Sequence, residues 1–208
     1  MVPCLFALLY LGLLFSLVKK EGMGMKVFLV SGRARHGKDT MSRMIAEKYE
    51  QMGKKVCFIQ LMRPLKEYLK DYFGWDGSEE TKPREALQQM GTELIREEMH
   101  KPFFFIDRLT EDIEILSHFF DVFMVTDVRL PLEIEELKKR FPGAVSINIT
   151  REGYENDLSF EEKQHYTEVA LIGYHGFDYE VLNTSLEDLK RQVERIVDCE
   201  GKKDENND

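Results

Sequence analysis

A three-layer α/β domain, with a mostly parallel five-stranded sheet, helices on both faces and a small lid, is the architecture this sequence predicts. Three observations lead there. Short runs rich in β-branched and aromatic residues alternate with longer stretches in helical period, the pattern of strands joined by crossover helices. The run Asp121 to Thr126 (DVFMVT) has too many apolar residues for a half-exposed strand and belongs inside a sheet covered on both sides. The first strand also runs straight into a glycine-bounded turn, Gly32 to Gly37, which opens into a helix.

The 208 residues suffice for one such domain with a substantial core. Val2 to Val18 form an apolar run closed by Lys19-Lys20. It is slightly short of the ~20 residues of a membrane span. A secretory signal fits poorly, because no positive charge precedes the run and no small-x-small site follows it. An inserted leader would leave the rest in the cytoplasm, given the two lysines. Met23 and Met25 stand just before the first strand, so a start there, with a mis-called leader, is a third reading. The expected organisation is a leader over 1–24, a phosphate-binding domain over 25–200 and a disordered tail over 201–208, with a cytoplasmic location for the body.

Strand 1 is expected at Lys26 to Ser31, and a helix from Lys38 to Met52 with Met41, Met44, Ile45 and Tyr49 on its buried face. Gly53 suits a C-cap, and Lys55 to Leu61 reads as strand 2. Arg63-Pro64 opens a helix that Gly74 to Gly77 breaks. Pro83 opens another, Arg84 to His100, with Leu87, Met90, Leu94 and Ile95 on one side. A helix from Phe105 to Phe119 precedes strand 3, Asp121 to Thr126. Pro131 starts a charged helix, Leu132 to Arg140, and Pro142-Gly143 turns into strand 4, Ala144 to Thr150. Arg151 to Gln164 reads as a polar surface excursion and His165 to Ile172 as a helix. Tyr179 to Leu182 is strand 5 and Leu186 to Val197 the closing helix.

A net charge of −9, with both signs spread along the chain, argues against non-specific nucleic-acid binding, which needs a basic face. A local cationic pocket for a small anion is compatible with it. Cys4, Cys57 and Cys199 lie far apart with no C-x-x-C, so they read as reduced thiols.

Gly32-Arg33-Ala34-Arg35-His36-Gly37-Lys38 matches G-x-x-x-x-G-K, the phosphate-binding loop. Its glycines let the backbone curl so that successive N–H groups point inward, and the positive end of the next helix faces the same place. Lys38 adds an ammonium for the outer phosphates. Asp39 stands where the common motif has Ser or Thr, and Thr40 follows. Asp127, directly after strand 3, suits a magnesium site beside the phosphates, or else an N-cap or salt bridge. Arg129, two residues on, extends from the same face and suits a second phosphate.

A second anion site is expected between strands 2 and 3, where Arg63, Lys66, Lys82, Arg84, Arg96 and Arg108 lie. Lys66, Arg84 and Arg96 are the candidates, with Gln88 near the face of Arg84. Arg151, where strand 4 gives way to the excursion, suits an arginine that swings over the transferring phosphoryl group as a lid closes. His165 and Glu168, three apart on one helical face, read as a substrate contact or a surface pair. No further His or Cys completes a zinc set.

These segments resemble the deoxynucleoside monophosphate kinase family, within the P-loop nucleoside monophosphate kinases. The carriers are Leu29-Val30-Ser31-Gly32 with Gly37-Lys38-Asp39-Thr40, Arg63-Pro64-Leu65-Lys66, and Arg84 to Gly91 (REALQQMG). Thr126 to Glu133 (TDVRLPLE), His165-Tyr166-Thr167-Glu168 and Asp178 to Asn183 continue it. The resemblance runs from Met25 to Val197 and implies a P-loop NTPase fold. It also implies transfer of the ATP γ-phosphoryl to a nucleoside monophosphate with Mg2+. Lys38 and the loop N–H groups would hold ATP, and Arg84, Arg129 and Lys66 would face the acceptor. Arg151 would belong to the lid and Asn183 would lie near the adenine. Asp39, Thr40 or Asp127 would touch magnesium. The alternatives are a phosphomevalonate-kinase-like enzyme, which shares the G-K-D start, and a non-catalytic nucleotide-binding module. A GTPase switch would need an N-K-x-D motif, which is absent.

Overall fold

The computed structural model describes residues 25–153 and 169–205. The leader 1–24, the excursion beyond Gly153, and His165 and Glu168 lie outside them. The strands are β1 (Lys26–Ser31), β2 (Val56–Ile59), β3 (Val122–Val125), β4 (Val145–Thr150) and β5 (Tyr179–Leu182). They form one sheet in the order β2-β3-β1-β4-β5, and every pairing is parallel. All six residues of β1 are buried, as a central strand covered on both faces demands. No helix among the described residues is long and apolar enough to cross a membrane.

Alternation along the strands divides the core in two. Val27, Leu29, Phe123 and Val125 face one layer, built by α2 (Arg63–Phe73), α4 (Phe104–Leu116) and α5 (Pro131–Arg140). Phe28, Val30, Val122 and Met124 face the other, built by α1 (Lys38–Gln51) and α6 (Leu186–Glu205). Met41, Ile45 and Tyr49 of α1 are buried there as the periodicity requires, while Met44 packs half-buried at the edge.

Edge strand β2 is shorter than the expected Lys55 to Leu61 because carboxylates from the ends of β3 take over its terminal N–H groups. Asp121 Oδ2 accepts from Lys55 N–H at 2.7 Å, and Asp127 Oδ1 from Leu61 N–H at 2.8 Å. The edge strand is thus pinned at both ends.

The stretch from Arg84 is not one regular α-helix. Its first part, α3 (Arg84–Gln88), widens into a π-helical segment (Gln89–Glu98) that ends with a five-residue bond, Met99 N–H to Leu94 C=O at 2.8 Å. The wider turn changes the phase of the apolar face. Ile95 is buried at 7% exposure, but Leu94, expected beside it, is 40% exposed.

Of the expected helix His165 to Ile172, residues 165–168 lie outside the described residues, Val169 is helical, and residues 170–173 form turns. Helix α6 continues past the expected Val197 to Glu205, so residues 201–205 are helical and not an extended tail. The cause is Glu200, buried at 2% exposure. It pairs with Lys26 at 2.8 Å, accepts the Tyr179 hydroxyl at 2.6 Å and bonds Lys203 at 2.6 Å. This carboxylate ties α6 to the starts of β1 and β5. Replacing it strips a buried lysine of its partner carboxylate. We expect Glu200→Ala to lower stability by ~3 kcal/mol in urea unfolding. A loss below ~1 kcal/mol would show that the network adds little beyond a surface ion pair.

Candidate functional site

The phosphate loop leaves the C-terminal end of β1 and lies against the ends of β4 and β5. Gly32 has φ +148°, and a Cβ there would sit 2.4 Å from the Ile149 carbonyl oxygen. Gly37, the N-cap of α1, has φ +105°, and a Cβ there would sit 2.6 Å from the Asn183 amide nitrogen. Both glycines are therefore required twice over, by backbone conformation and by close approach.

His36 and Asn183 fasten the loop. The Asn183 amide donates to the His36 carbonyl at 3.0 Å, and His36 Nδ1 accepts the Arg151 N–H at 3.1 Å. His36 is 7% exposed. Burial pushes its pKa down, and the Lys38, Arg33 and Arg151 charges push the same way. The imidazole is thus neutral near pH 7, with Nδ1 as acceptor and the proton assigned to Nε2 by that bond. Asn183, expected near an adenine, has its amide committed to the loop backbone. Arg151 meets the loop through its N–H, with an exposed side chain at the start of the excursion.

Lys38 Nζ donates to the loop carbonyls of Gly32 at 2.7 Å and Arg33 at 2.9 Å. Burial lowers its pKa to about 8, Arg129 and Lys82 add to the shift, and Asp39 and Asp127 oppose it. Asp39 and Thr40 lie exposed in the first turn of α1, Ala34 is half-buried, and Arg33 and Arg35 are exposed on the loop.

Asp127 follows β3 as expected, but its carboxylate is occupied. Oδ1 accepts from Leu61 and Oδ2 from the Met62 N–H at 3.1 Å, so it caps the turn from β2 into α2. Among the described residues no three His, Cys, Asp or Glu side chains gather as a metal-binding set. The lone pairs that Asp127 retains suit an outer-sphere bond to a magnesium-bound water better than the core of a protein-built metal site.

Of the cations expected at an acceptor site, Lys66, Arg84 and Arg129 lie within electrostatic reach of one another or of the loop lysine. Burial lowers the Lys66 pKa, which Asp127 and Glu79 raise and Lys82 and Arg129 lower. Burial likewise lowers Arg129, with Asp127 and Glu133 opposing and Arg84 adding to the shift. Lys38, Lys66, Lys82, Arg84 and Arg129 therefore act on one another around Asp127. Glu79 binds two of them, Lys82 Nζ at 2.9 Å and Arg84 Nη2 at 2.5 Å. Lys66 Nζ donates to Gln60 at 2.6 Å. Lys82 received no role from the sequence, although its place beside Pro83-Arg84 at the head of a helix was the available signal.

Arg96 departs from expectation. It is paired with Glu133 at 2.8 Å, donates to the Gly91 carbonyl at 3.1 Å and lies over the Phe105 ring at 5.0 Å. Both of its terminal nitrogens are thus engaged by Gly91 and Glu133, an arrangement that fits a structural cation better than an acceptor ligand. Gln88 is half-buried at the junction of α3 and the π-helical segment.

Beside the loop, a cavity of about 530 Å³ opens over the ends of β4 and β5. Gly32, Arg33, His36 and Arg129 form its phosphate-loop side, and Tyr174 and Leu182 are among its apolar walls. Its size suits a nucleoside.

No family model matches the chain, and no curated protein matches it. Among solved structures, the APS kinase CysC of Mycobacterium tuberculosis in complex with AMPPNP and APS aligns with a TM-score of 0.51 at 11% identity. That alignment covers 85% of this chain and 98% of that one. The shikimate kinase of Bacteroides thetaiotaomicron aligns with a TM-score of 0.46 at 14% identity, over 84% and 97% of the two chains. At such identity the APS kinase likeness speaks to architecture alone, and with the parallel sheet and loop it shows that this chain has the α/β fold of the P-loop kinases.

Proposed function

We propose that the protein transfers the γ-phosphoryl of ATP to a (deoxy)nucleoside monophosphate, giving ADP and the diphosphate. The reading is supported by the proximity of further cations to the donor loop: Lys82 and Arg129 lie close enough to Lys38 for their charges to act on it, and Lys66 and Arg84 act on those two in turn or share their partners. A nucleotide sensor needs only the first set. A transferase with an anionic acceptor needs both. The APS kinase that shares the fold was solved with a donor analogue and an anionic acceptor together.

In this reading the donor's β- and γ-phosphates lie in the loop, and the cavity beside β4 and β5 takes its nucleoside. An acceptor phosphate oxygen attacks the γ-phosphorus while the bond to the β–γ bridging oxygen breaks. Lys38 and Arg129 stabilise the charge on the transferring group, and Arg84, Lys66 and Lys82 hold the acceptor phosphate. Mg2+ would offset charge on the donor phosphates, with Asp127, Asp39 and Thr40 the side chains placed to orient its waters. No general base is required, since catalysis here is positioning plus charge neutralisation. Dependence on ATP implies a cytoplasmic site of action.

The direct test supplies the full-length protein with ATP and Mg2+ and screens nucleoside and deoxynucleoside monophosphates, plus phosphomevalonate, for ADP formation. Turnover on a nucleoside monophosphate is expected. Turnover on phosphomevalonate alone would redirect the acceptor assignment, and turnover on none would leave a nucleotide-binding module. Lys38→Ala should lower kcat by ~10²-fold or more while circular dichroism keeps the wild-type signature. Retained turnover would remove the loop from the mechanism.

The lowered Lys38 pKa gives a pH signature. Its ammonium is present below pH of about 8 and lost above it, whereas bound phosphates hold the proton on and raise the pKa. ATP affinity should therefore be level below that point and fall as pH rises through it, by ~10-fold per unit until the pKa of the complex is reached. Titration of a non-hydrolysable ATP analogue across this range checks it, and a flat profile would contradict the assignment.

A further inference from the structure

We propose that Glu133 and Arg96 are a positioning pair, which locks the acceptor-side helical stretch Arg84–Glu98 to the loop that carries Asp127 and Arg129. The inference rests on the transferase reading and adds to it two residues that touch no substrate.

Glu133 is the third residue of α5, and its carboxylate is used on both oxygens. Oε2 accepts from the Leu130 N–H at 3.1 Å, the acidic half of a capping box, and also from the Arg129 N–H at 2.8 Å. Oε1 receives Arg96 Nη2 at 2.8 Å. A helix cap needs only the first of these. The second fixes the backbone from which the Arg129 guanidinium extends, two residues after Asp127. The third brings in a distant element, because Arg96 ends the stretch that Arg84 begins.

Burial makes the pair costly. Glu133 is 4% exposed, and burial pushes its carboxyl pKa up against the pull of Arg96 and the two N–H groups. A hydrophobic pair of the same volume would serve packing as well. What it would not supply is a directed link between Arg96 and two backbone N–H groups. The π-helical segment carries Arg96 to this position and sets Gly91 where a Cβ would be 2.8 Å from Met62 Cε. Met62 in turn donates its N–H to Asp127. The π-helical segment, the turn entering α2 and the Asp127–Leu130 loop thus meet at one junction, and Arg84 and Arg129 take their relative placement from it.

The test compares wild type with Glu133→Gln, Arg96→Lys and the double variant Glu133→Gln/Arg96→Met, which removes both charges and leaves neither buried alone. Three readouts are taken: affinity for a non-hydrolysable ATP analogue, acceptor KM against kcat, and amide hydrogen exchange over 84–98 and 127–130. The double variant should lose far less affinity for the ATP analogue than for the acceptor, since Lys38 and its loop are untouched and only the Arg129 contact to the donor is loosened. Its acceptor KM should rise ~10- to 100-fold. Exchange should quicken in both segments together while β1 and α1 keep their protection. Arg96→Lys should fall between, because it keeps the charge and loses the guanidinium fork. An unchanged acceptor KM in a folded double variant, or exchange that quickens in only one segment, would overturn the proposal. If wild type phosphorylates no acceptor, the transferase reading fails and the exchange comparison alone decides whether the two segments are coupled.

Discussion

The Asp127 carboxylate sits where the mechanical and electrostatic demands of this fold meet. Its two oxygens take the N–H groups of Leu61 and Met62, so the exit of an edge strand and the entry of α2 are held to the end of β3. Its charge also opposes the mutual repulsion of Lys38, Lys66 and Arg129. An asparagine of the same shape could accept only one of the two N–H groups, since its amide nitrogen donates, and it would remove a charge that offsets three nearby cations. An uncapped aspartate would balance them but lack a fixed place. The C-terminal edge of a parallel sheet is where such a group can do both, because strand ends and helix starts gather there.

Sequence reasoning succeeded where structure and chemistry are local. The strand, glycine turn and helix around Lys38 are contiguous, and the glycines carry their own constraint, so the loop was legible. The positions of Asp127 and Arg129 were legible for the same reason, as residues that follow a fully apolar strand. The parallel sheet followed from alternating elements. The boundary errors have a common cause. β2 is trimmed by aspartates of β3, and α6 is prolonged by a glutamate that binds Lys26 and Tyr179, contacts that helical or strand periodicity does not register.

Side-chain commitment was harder to read. Arg96 and Arg84 look alike as basic residues on one helical stretch. Their fates differ because the π-helical segment turns Arg96 inward toward Glu133, and its phase shift is invisible to a pattern assuming regular α-helical turns. Asn183 and His36 read from the sequence as parts of a nucleotide-binding site, and each also fastens the loop to the ends of β4 and β5. In both cases the partner is a backbone group remote in sequence. Glu133 offered a signal that was available but went unused: an acidic residue at the third position of a proline-started helix is a capping residue, and a buried one invites the question of what else it holds.

Five cations near one aspartate carry an electrostatic cost: burial first, and mutual repulsion after it, lower the pKa values of Lys38, Lys66 and Arg129. Part is offset internally. Lys38 turns back onto the carbonyls of its own loop, and Glu79 takes Lys82 and Arg84. These internal partners are weaker than a phosphate: carbonyls carry partial charge only, and Glu79 is 65% exposed and screened by water. A polyanion entering the cleft would exchange weak partners for strong ones and relieve the repulsion in the same step. On the transferase reading proposed above, the folded chain bears a repulsion that a phosphate-bearing ligand would convert into affinity, the stability–function trade expected of a site preorganised for transferred negative charge.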